Sequence, residues 1–160
     1  MVLPMDGEKK PVVFANTVYD ERHAQFSPDG RYVAYQSNES GQFEIYVRPF
    51  PSQPDGQRQL VSTLGGIAPR WRPDGKELYY IAPDGTLMAA PIALKGTALE
   101  PGVPTPLFQP PIVAGGVNAT NPQQYDVAPD GRFLINVNTE DATTSPITLL
   151  LNWKAASTGK

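Results

Sequence analysis

The order of apolar and polar positions along the chain predicts short strands that recur in groups. Residues 31–37 (RYVAYQS) carry apolar side chains at successive positions, as in a strand with both faces buried. Residues 43–50 (FEIYVRPF) alternate, as in a strand with one buried face. Two shorter strands, at 24–26 and 59–62, complete this group. Because no window shows the 3.6-residue apolar period of a packed helix, the sequence predicts an all-β fold.

A turn motif marks three repeats of this group. Pro-Asp-Gly followed by Arg or Lys occurs at 28–31, 73–76 and 129–132. Asp29 and Asp74 are 45 residues apart, and Asp74 and Asp130 are 56 apart. A period of about 40–50 residues with several strands per repeat is typical of a β-propeller blade. The sequence therefore predicts three antiparallel blades.

The remaining strands follow from the same motif. The second blade is predicted from strands at 69–71, 77–82, 86–92 and 105–108, with 96–104 as an insertion. The third is predicted from strands at 124–127, 133–137 and 147–153, without an outer strand, while 11–16 forms an orphan strand. Residues 1–160 thus form a single partial propeller domain. Its parts are the end of a preceding blade with the orphan strand (1–22), blade one (23–63), blade two (64–110) and blade three (111–160).

Composition excludes several classes of function. The net charge is −3, and the 13 basic and 16 acidic residues are scattered, so no basic groove for nucleic acid is predicted. The absence of cysteine excludes disulfides and thiolate metal sites. No stretch approaches the ~20 apolar residues of a membrane span, and the first residues do not form a signal peptide, so the compartment stays open.

Few residues offer catalytic chemistry. His23 is the single histidine, and it is either a general base near a channel mouth or, as we favour, a loop residue that hydrogen-bonds between blades. Ser27 and Ser40 lie outside any nucleophile-elbow motif. We therefore predict no catalytic residue, no metal site and no cofactor.

Two repeated residue types have structural interpretations. The aspartates that precede glycine stand too far apart in sequence for calcium binding, so turn chemistry explains them: Asp29, Asp55, Asp74, Asp84 and Asp130. Trp71 occupies the same repeat position as Phe26 and Val127 and is predicted to pack between blades rather than to form a stacking platform.

Function, if it is binding, is predicted on the loops that join successive blades, since loops on a rigid scaffold often carry function. These loops, at 17–23, 63–68 and 112–123, should share one face of the ring. The candidate binding residues on or near that face are His23, Arg70, Asn118, Thr120, Asn121 and Tyr125.

Several of these motifs resemble a known family. The runs at 26–35 (FSPDGRYVAY) and 43–51 (FEIYVRPFP) resemble TolB-like propeller repeats. With 65–80 and 146–153 (PITLLLNW), they resemble the C-terminal sensor-like propellers of acidobacterial transmembrane serine/threonine protein kinases. This likeness spans nearly the whole chain. It implies the C-terminal half of a six-bladed ring outside the cytoplasm, without the kinase domain, of which no motif is present.

The expected function is a non-catalytic interaction or sensory module that binds a protein or a small ligand. Two copies would form one ring as a homodimer, with Val12, Val13 and Phe14 exchanged against Leu149, Leu150 and Leu151. The alternatives are the gating propeller of a prolyl-oligopeptidase-type serine peptidase without its hydrolase domain, or a purely structural or engineered fragment.

Overall fold

A computed structural model describes residues 1–51, 58–95, 98–112 and 125–137, and in these residues all regular structure is antiparallel β-sheet. Sheet I has the order β1-β2-β3-β4. Its strands are β1 Glu21–Phe26, β2 Tyr32–Ser37, β3 Glu44–Pro49 and β4 Gln59–Leu60. These are the four strands predicted for the first repeat. Every residue of β2 is buried, as its two apolar faces predict.

Sheet II repeats this arrangement and adds one strand. Its strands are β5 Ile67–Trp71, β6 Glu77–Ile81, β7 Leu87–Lys95, β8 Ala98–Pro101 and β9 Thr105–Phe108. The first half of β7 pairs with β9, and its second half pairs with β8. The insertion predicted at 96–104 contains strand β8, which the sequence analysis did not predict. Leu99 explains the strand, because its side chain is buried in the core between sheets I and II.

Sheet III consists of β10 Tyr125–Val127 and β11 Phe133–Ile135. The predicted strand at 147–153 lies outside the described residues. In this sheet the Pro-Asp-Gly turn is one residue tighter than in the others. Ala128 N donates to Arg132 O four residues on, whereas Ser27 N donates to Tyr32 O five residues on. A one-residue slip reverses the faces of a strand, so Phe133 and Ile135 rather than Leu134 point towards sheet II.

The three sheets stack face to face in chain order. One core cluster lies between sheets I and II and contains Tyr32, Ala34, Leu78 and Tyr80. Trp71 belongs to this cluster, as predicted from its repeat position. A second cluster between sheets II and III contains Tyr79, Ile81, Leu87 and Tyr125, with Phe133 packed against it. Strand β6 of sheet II thus buries alternate side chains against sheets I and III. The described residues do not close into a ring.

The predicted strand at 11–16 is not formed. Only Val12 pairs, in an isolated antiparallel bridge with Val2. Pro11 lacks an N–H, and among the described residues no further strand lies beside this segment. Phe14 instead packs on the outer face of sheet I, against Tyr35 and Phe50.

Candidate functional site

His23 and Ala68, which occupy equivalent positions of the repeat, bend the first strands of sheets I and II. His23 and Ala68 are 45 residues apart, and both have a positive φ, 53° and 54°. Each lies in a bulge, where the pairing of β1 with β2 and of β5 with β6 skips residues. A positive φ outside glycine is uncommon, and a bulge turns backbone groups away from the ladder. The peptide groups of Ala68 are therefore free to bond other sheets.

A hydrogen-bond relay uses those groups to join all three sheets. Gln36 Oε1 accepts a hydrogen bond from Ala68 N at 3.0 Å and lies 2.8 Å from His23 Nδ1. On the other side, Tyr125 Oη donates to Ala68 O at 2.9 Å. The Gln36 side-chain atom that faces Ala68 N–H must be the oxygen, because a backbone N–H only donates. His23 Nδ1 therefore carries a proton and donates it to the same oxygen. His23 thus lies in strand β1 and its partner Gln36 lies in the same sheet, so the prediction of a loop histidine that hydrogen-bonds between blades was wrong.

Arg70 is a buried cation beside this relay. Its side chain is 5% exposed and donates from Nη1 to Pro69 O at 2.8 Å. Its Nε lies 3.7 Å from Asp126 Oδ1, and its guanidinium carbon lies 5.8 Å from the centroid of the Tyr125 ring. Burial raises the pKa of the Tyr125 phenol, which stays neutral and donates. These charges and dipoles hold sheet III against sheet II.

Of the candidate binding residues, the structure brings His23, Arg70 and Tyr125 together around β5. It places Arg70 and Tyr125 in the interior, so neither presents its side chain to a ligand on the loop surface. Asn118, Thr120 and Asn121 lie outside the described residues, as do Leu149, Leu150 and Leu151.

In the part of the chain that the structure describes, the loops before β1 and β5 lie at the same end as the second turns of sheets I and II, and with residues 109–112 they form a surface that we call the loop face (17–20, 38–41, 63–66, 83–85 and 109–112). Asp20 N donates to Asn38 Oδ1 at 2.9 Å. Gln109 Nε2 donates to Asp84 O at 2.6 Å. The Pro-Asp-Gly turns that join the first two strands of each sheet lie at the opposite ends of those strands. The loop face therefore lies at one end of sheets I and II, opposite their Pro-Asp-Gly turns.

An apolar cavity of about 400 Å³ opens on the loop face. It lies between the loop at 63–65 and the turn at 83–85, and its walls include Leu64, Tyr80, Pro83, Met88 and Pro106. Leu64 at its mouth is 80% exposed. A second cavity, of about 440 Å³, lies beyond the same turn and is lined by Asp84, Gln109 and Pro110. The first cavity has the size and lining to hold an apolar side chain or a small apolar ligand.

The side chains that were candidates for nucleophiles or metal ligands have structural partners. Ser27 Oγ donates to Asp29 Oδ1 at 2.6 Å and accepts from Tyr32 N, while Ser40 Oγ donates to Gln42 O at 3.1 Å. The aspartates at 29, 74, 84 and 130 each accept from the N–H two residues later, as turn chemistry predicts. Asp55 lies outside the described residues. In the described ranges no three His, Asp or Glu side chains form a metal-binding group.

A buried carboxylate was missed by the sequence reasoning, which placed Glu44 on an exposed face. Glu44 is buried and accepts hydrogen bonds from Ser62 Oγ and from Gln42 Nε2, the latter at 2.7 Å. Ser62 Oγ also accepts from Ile45 N at 2.8 Å. Burial, with a smaller contribution from the Glu44 charge, raises the pKa of Tyr80 to about 12. The pair joins the third strand of sheet I to the linker that follows β4.

No protein-family model matches the chain. Within the described ranges, the structure has no helix with the length and apolar character needed to span a membrane.

Proposed function

We propose that the chain is a non-catalytic β-propeller module of the TolB-like kind, in which sheets I, II and III are successive blades. The observation that carries this proposal is the repetition of a bulge position and of face-to-face packing along the stack. His23 and Ala68 occupy the same bulge position, and the backbone of Ala68 bonds to both neighbouring sheets. In a propeller, each blade meets the next through equivalent positions in this way.

Two copies of the chain would complete one six-bladed ring. Exposed apolar side chains at both ends of the stack favour this assembly, because such surfaces mark interaction sites. They are Phe26 in β1 and Leu134 in β11. Negative-stain electron microscopy should show closed rings with six lobes. Open arcs or dispersed small particles at micromolar concentration would contradict the ring.

The loop face would bind a protein or a small ligand outside the cytoplasm, as the resemblance to kinase sensor propellers implies. The apolar cavity beside Leu64 is the site we favour. Peptides selected from a displayed library on the wild-type chain should bind Leu64→Asp about tenfold more weakly. Leu94→Asp, a change at another exposed leucine, is the matched control. Equal loss in both variants, or in neither, would exclude the cavity.

The proposal that the chain is not an enzyme has its own test. Ser27 and Ser40 are occupied by turn hydrogen bonds, which supports a non-catalytic role. Prolyl p-nitroanilide peptides and p-nitrophenyl esters should not be hydrolysed by the pure chain. Turnover that is blocked by a serine-reactive phosphonate would overturn this proposal.

A further inference from the structure

The two broad faces of sheet I and sheet II can be compared position by position. Tyr35 and Tyr80 are 45 residues apart and lie on the face that points away from the next sheet. On sheet II, sheet I covers this face. On sheet I, the chain's first residues cover it: the Phe14 ring lies 5.7 Å from Tyr35, edge to face, and Arg48 Nη1 donates to Phe14 O at 3.1 Å.

The covering segment contains one antiparallel bridge. Val2 and Val12 exchange backbone hydrogen bonds of 2.8 and 2.7 Å. This pair corresponds to Val47 and Gln59 in sheet I, since Val2 precedes Val47 by 45 residues and Val12 precedes Gln59 by 47. Phe14, two residues beyond Val12, then corresponds to Val61, and both are buried on the sheet that follows. Residues 1–15 thus occupy the outer half of a sheet position.

The inner half of the same position is uncovered. Phe26 is 47% exposed, whereas its counterpart Trp71 is 7% exposed and donates from Nε1 to Gln25 O of sheet I at 3.2 Å. Ala24 is exposed, whereas its counterpart Pro69 is fully buried. The surface left open on β1 therefore corresponds to the one that Pro69 and Trp71 of β5 bury against sheet I.

Sheet III carries the complementary piece. Strands β10 and β11 are an inner pair joined by the Pro-Asp-Gly turn. Leu134 on their outward face is 74% exposed. Its counterpart Tyr79, which pairs with Arg70 as Leu134 pairs with Asp126, is buried against Phe133 of the next sheet at 4.9 Å between ring centroids. Leu134 lacks such a neighbour among the described residues.

We propose that the β10–β11 hairpin of a second copy packs on β1 over Ala24 and Phe26 and lies beside the segment that contains Val2. One sheet position would then be filled by two chains, with the inner strands from one copy and the outer segments from the other. The two surfaces lie at opposite ends of the stack, so two copies close into a two-fold ring when each copy spans half of it, as the proposed six-bladed ring requires. This inference rests on the proposed two-copy ring and identifies the surface through which it forms.

The chain contains no cysteine, so single introduced thiols report on this contact without interference. Ala24→Cys and Phe26→Cys place a thiol on the proposed surface, and the former keeps the Phe26 ring. Leu94→Cys, at a leucine that is 49% exposed, is the control. The rate of maleimide labelling is measured across protein concentrations on samples whose mass is determined in parallel.

Labelling at Ala24→Cys should slow about tenfold between the monomeric and dimeric ranges, while Leu94→Cys keeps one rate. Phe26→Asp should raise the dimer dissociation constant at least about tenfold, because it removes an aromatic anchor. A dimer in which Ala24→Cys labels at an unchanged rate would overturn this surface and leave the two-copy ring standing. A monomer at every concentration would overturn both.

Discussion

The side-chain oxygen of Gln36 lies 3.0 Å from the backbone nitrogen of Ala68 and accepts its hydrogen bond from the neighbouring sheet. The same oxygen accepts a hydrogen bond from His23 Nδ1. The carbonyl oxygen of Ala68 in turn accepts one from Tyr125 Oη of sheet III. One buried glutamine therefore sets the position of sheet I relative to sheet II. Ala68 has its bulged backbone satisfied on both sides by side chains from different sheets.

Replacing Gln36 by leucine should destabilise the fold by about 1–3 kcal/mol, because a buried N–H at Ala68 would lose its acceptor. The free energy of unfolding in urea measures this effect. Gln109→Leu removes an amide from an exposed site and should change stability by less than about 0.5 kcal/mol. Equal losses of unfolding free energy in the two variants would show that the hydrogen bond between Gln36 and Ala68 does not contribute specifically to stability.

Tyr125→Phe removes the hydroxyl that bonds Ala68 O and keeps the ring in the core. We expect the free energy of unfolding to fall by about 1 kcal/mol, since the buried carbonyl of Ala68 loses its hydrogen bond from sheet III. Tyr19→Phe, at an exposed tyrosine, should have no measurable effect. A Tyr125→Phe variant as stable as the wild type would show that this hydrogen bond does not contribute to stability.

Gly66 allows the linker between sheets I and II to pass close to both. A Cβ at this position would lie 2.9 Å from Ile45 Cγ1 and 2.9 Å from Tyr80 Cδ2. Gly66→Ala should therefore cost about 1–3 kcal/mol through overpacking. Gly102→Ala, whose nearest contact would be 3.3 Å from Pro91 Cβ, should cost less in the same thermal or urea assay. The reverse order would contradict the packing described for the linker.

Stability should depend on pH through Asp29. The Ser27 hydroxyl, followed by the Arg31 side chain, lowers the pKa of Asp29 from 3.8 to about 2. A carboxylate whose pKa falls on folding stabilises the native state fully above its unfolded pKa, and this contribution is lost as the pH drops through the folded value. The side chain is 46% exposed, so solvent screening keeps the effect below about 1 kcal/mol.

The corresponding measurement compares wild type with Asp29→Asn. Their difference in unfolding free energy should be constant above about pH 5 and should shrink between about pH 4 and pH 2. Ser27→Ala removes the strongest cause of the low pKa and should shift this decline to higher pH. A difference that does not change with pH would contradict the assigned role of the Asp29 charge.

Much of the fold could be predicted because turn chemistry and strand pattern agree locally. The Pro-Asp-Gly turns fix the ends of β1, β5 and β10, and continuous apolar runs identify β2 and β6 as strands buried on both faces. Strand β8 was missed because its hairpin has no such turn motif. Its one strong signal, the isolated apolar Leu99 between polar positions, is too short to identify a strand alone.

The candidate site was harder to predict, since its polar residues have partners far away in sequence. Arg70 and Tyr125 were assigned to a binding surface from residue type, and their burial follows from contacts across 56 and 57 residues. Gln36 was overlooked, although a polar residue on the face that begins with Tyr32 and Ala34 is a usable signal. The 45-residue spacing of His23 and Ala68 could have identified the bulge position before the structure did.

The proposed ring forms only if a second copy completes the stack. Sedimentation equilibrium across nanomolar to micromolar concentrations measures this directly, because one chain has a mass of 17.4 kDa. We predict a reversible transition from one chain to two, without larger species. A folded chain that keeps the mass of a monomer throughout this range, or one that forms polydisperse aggregates instead of a dimer, would contradict the account.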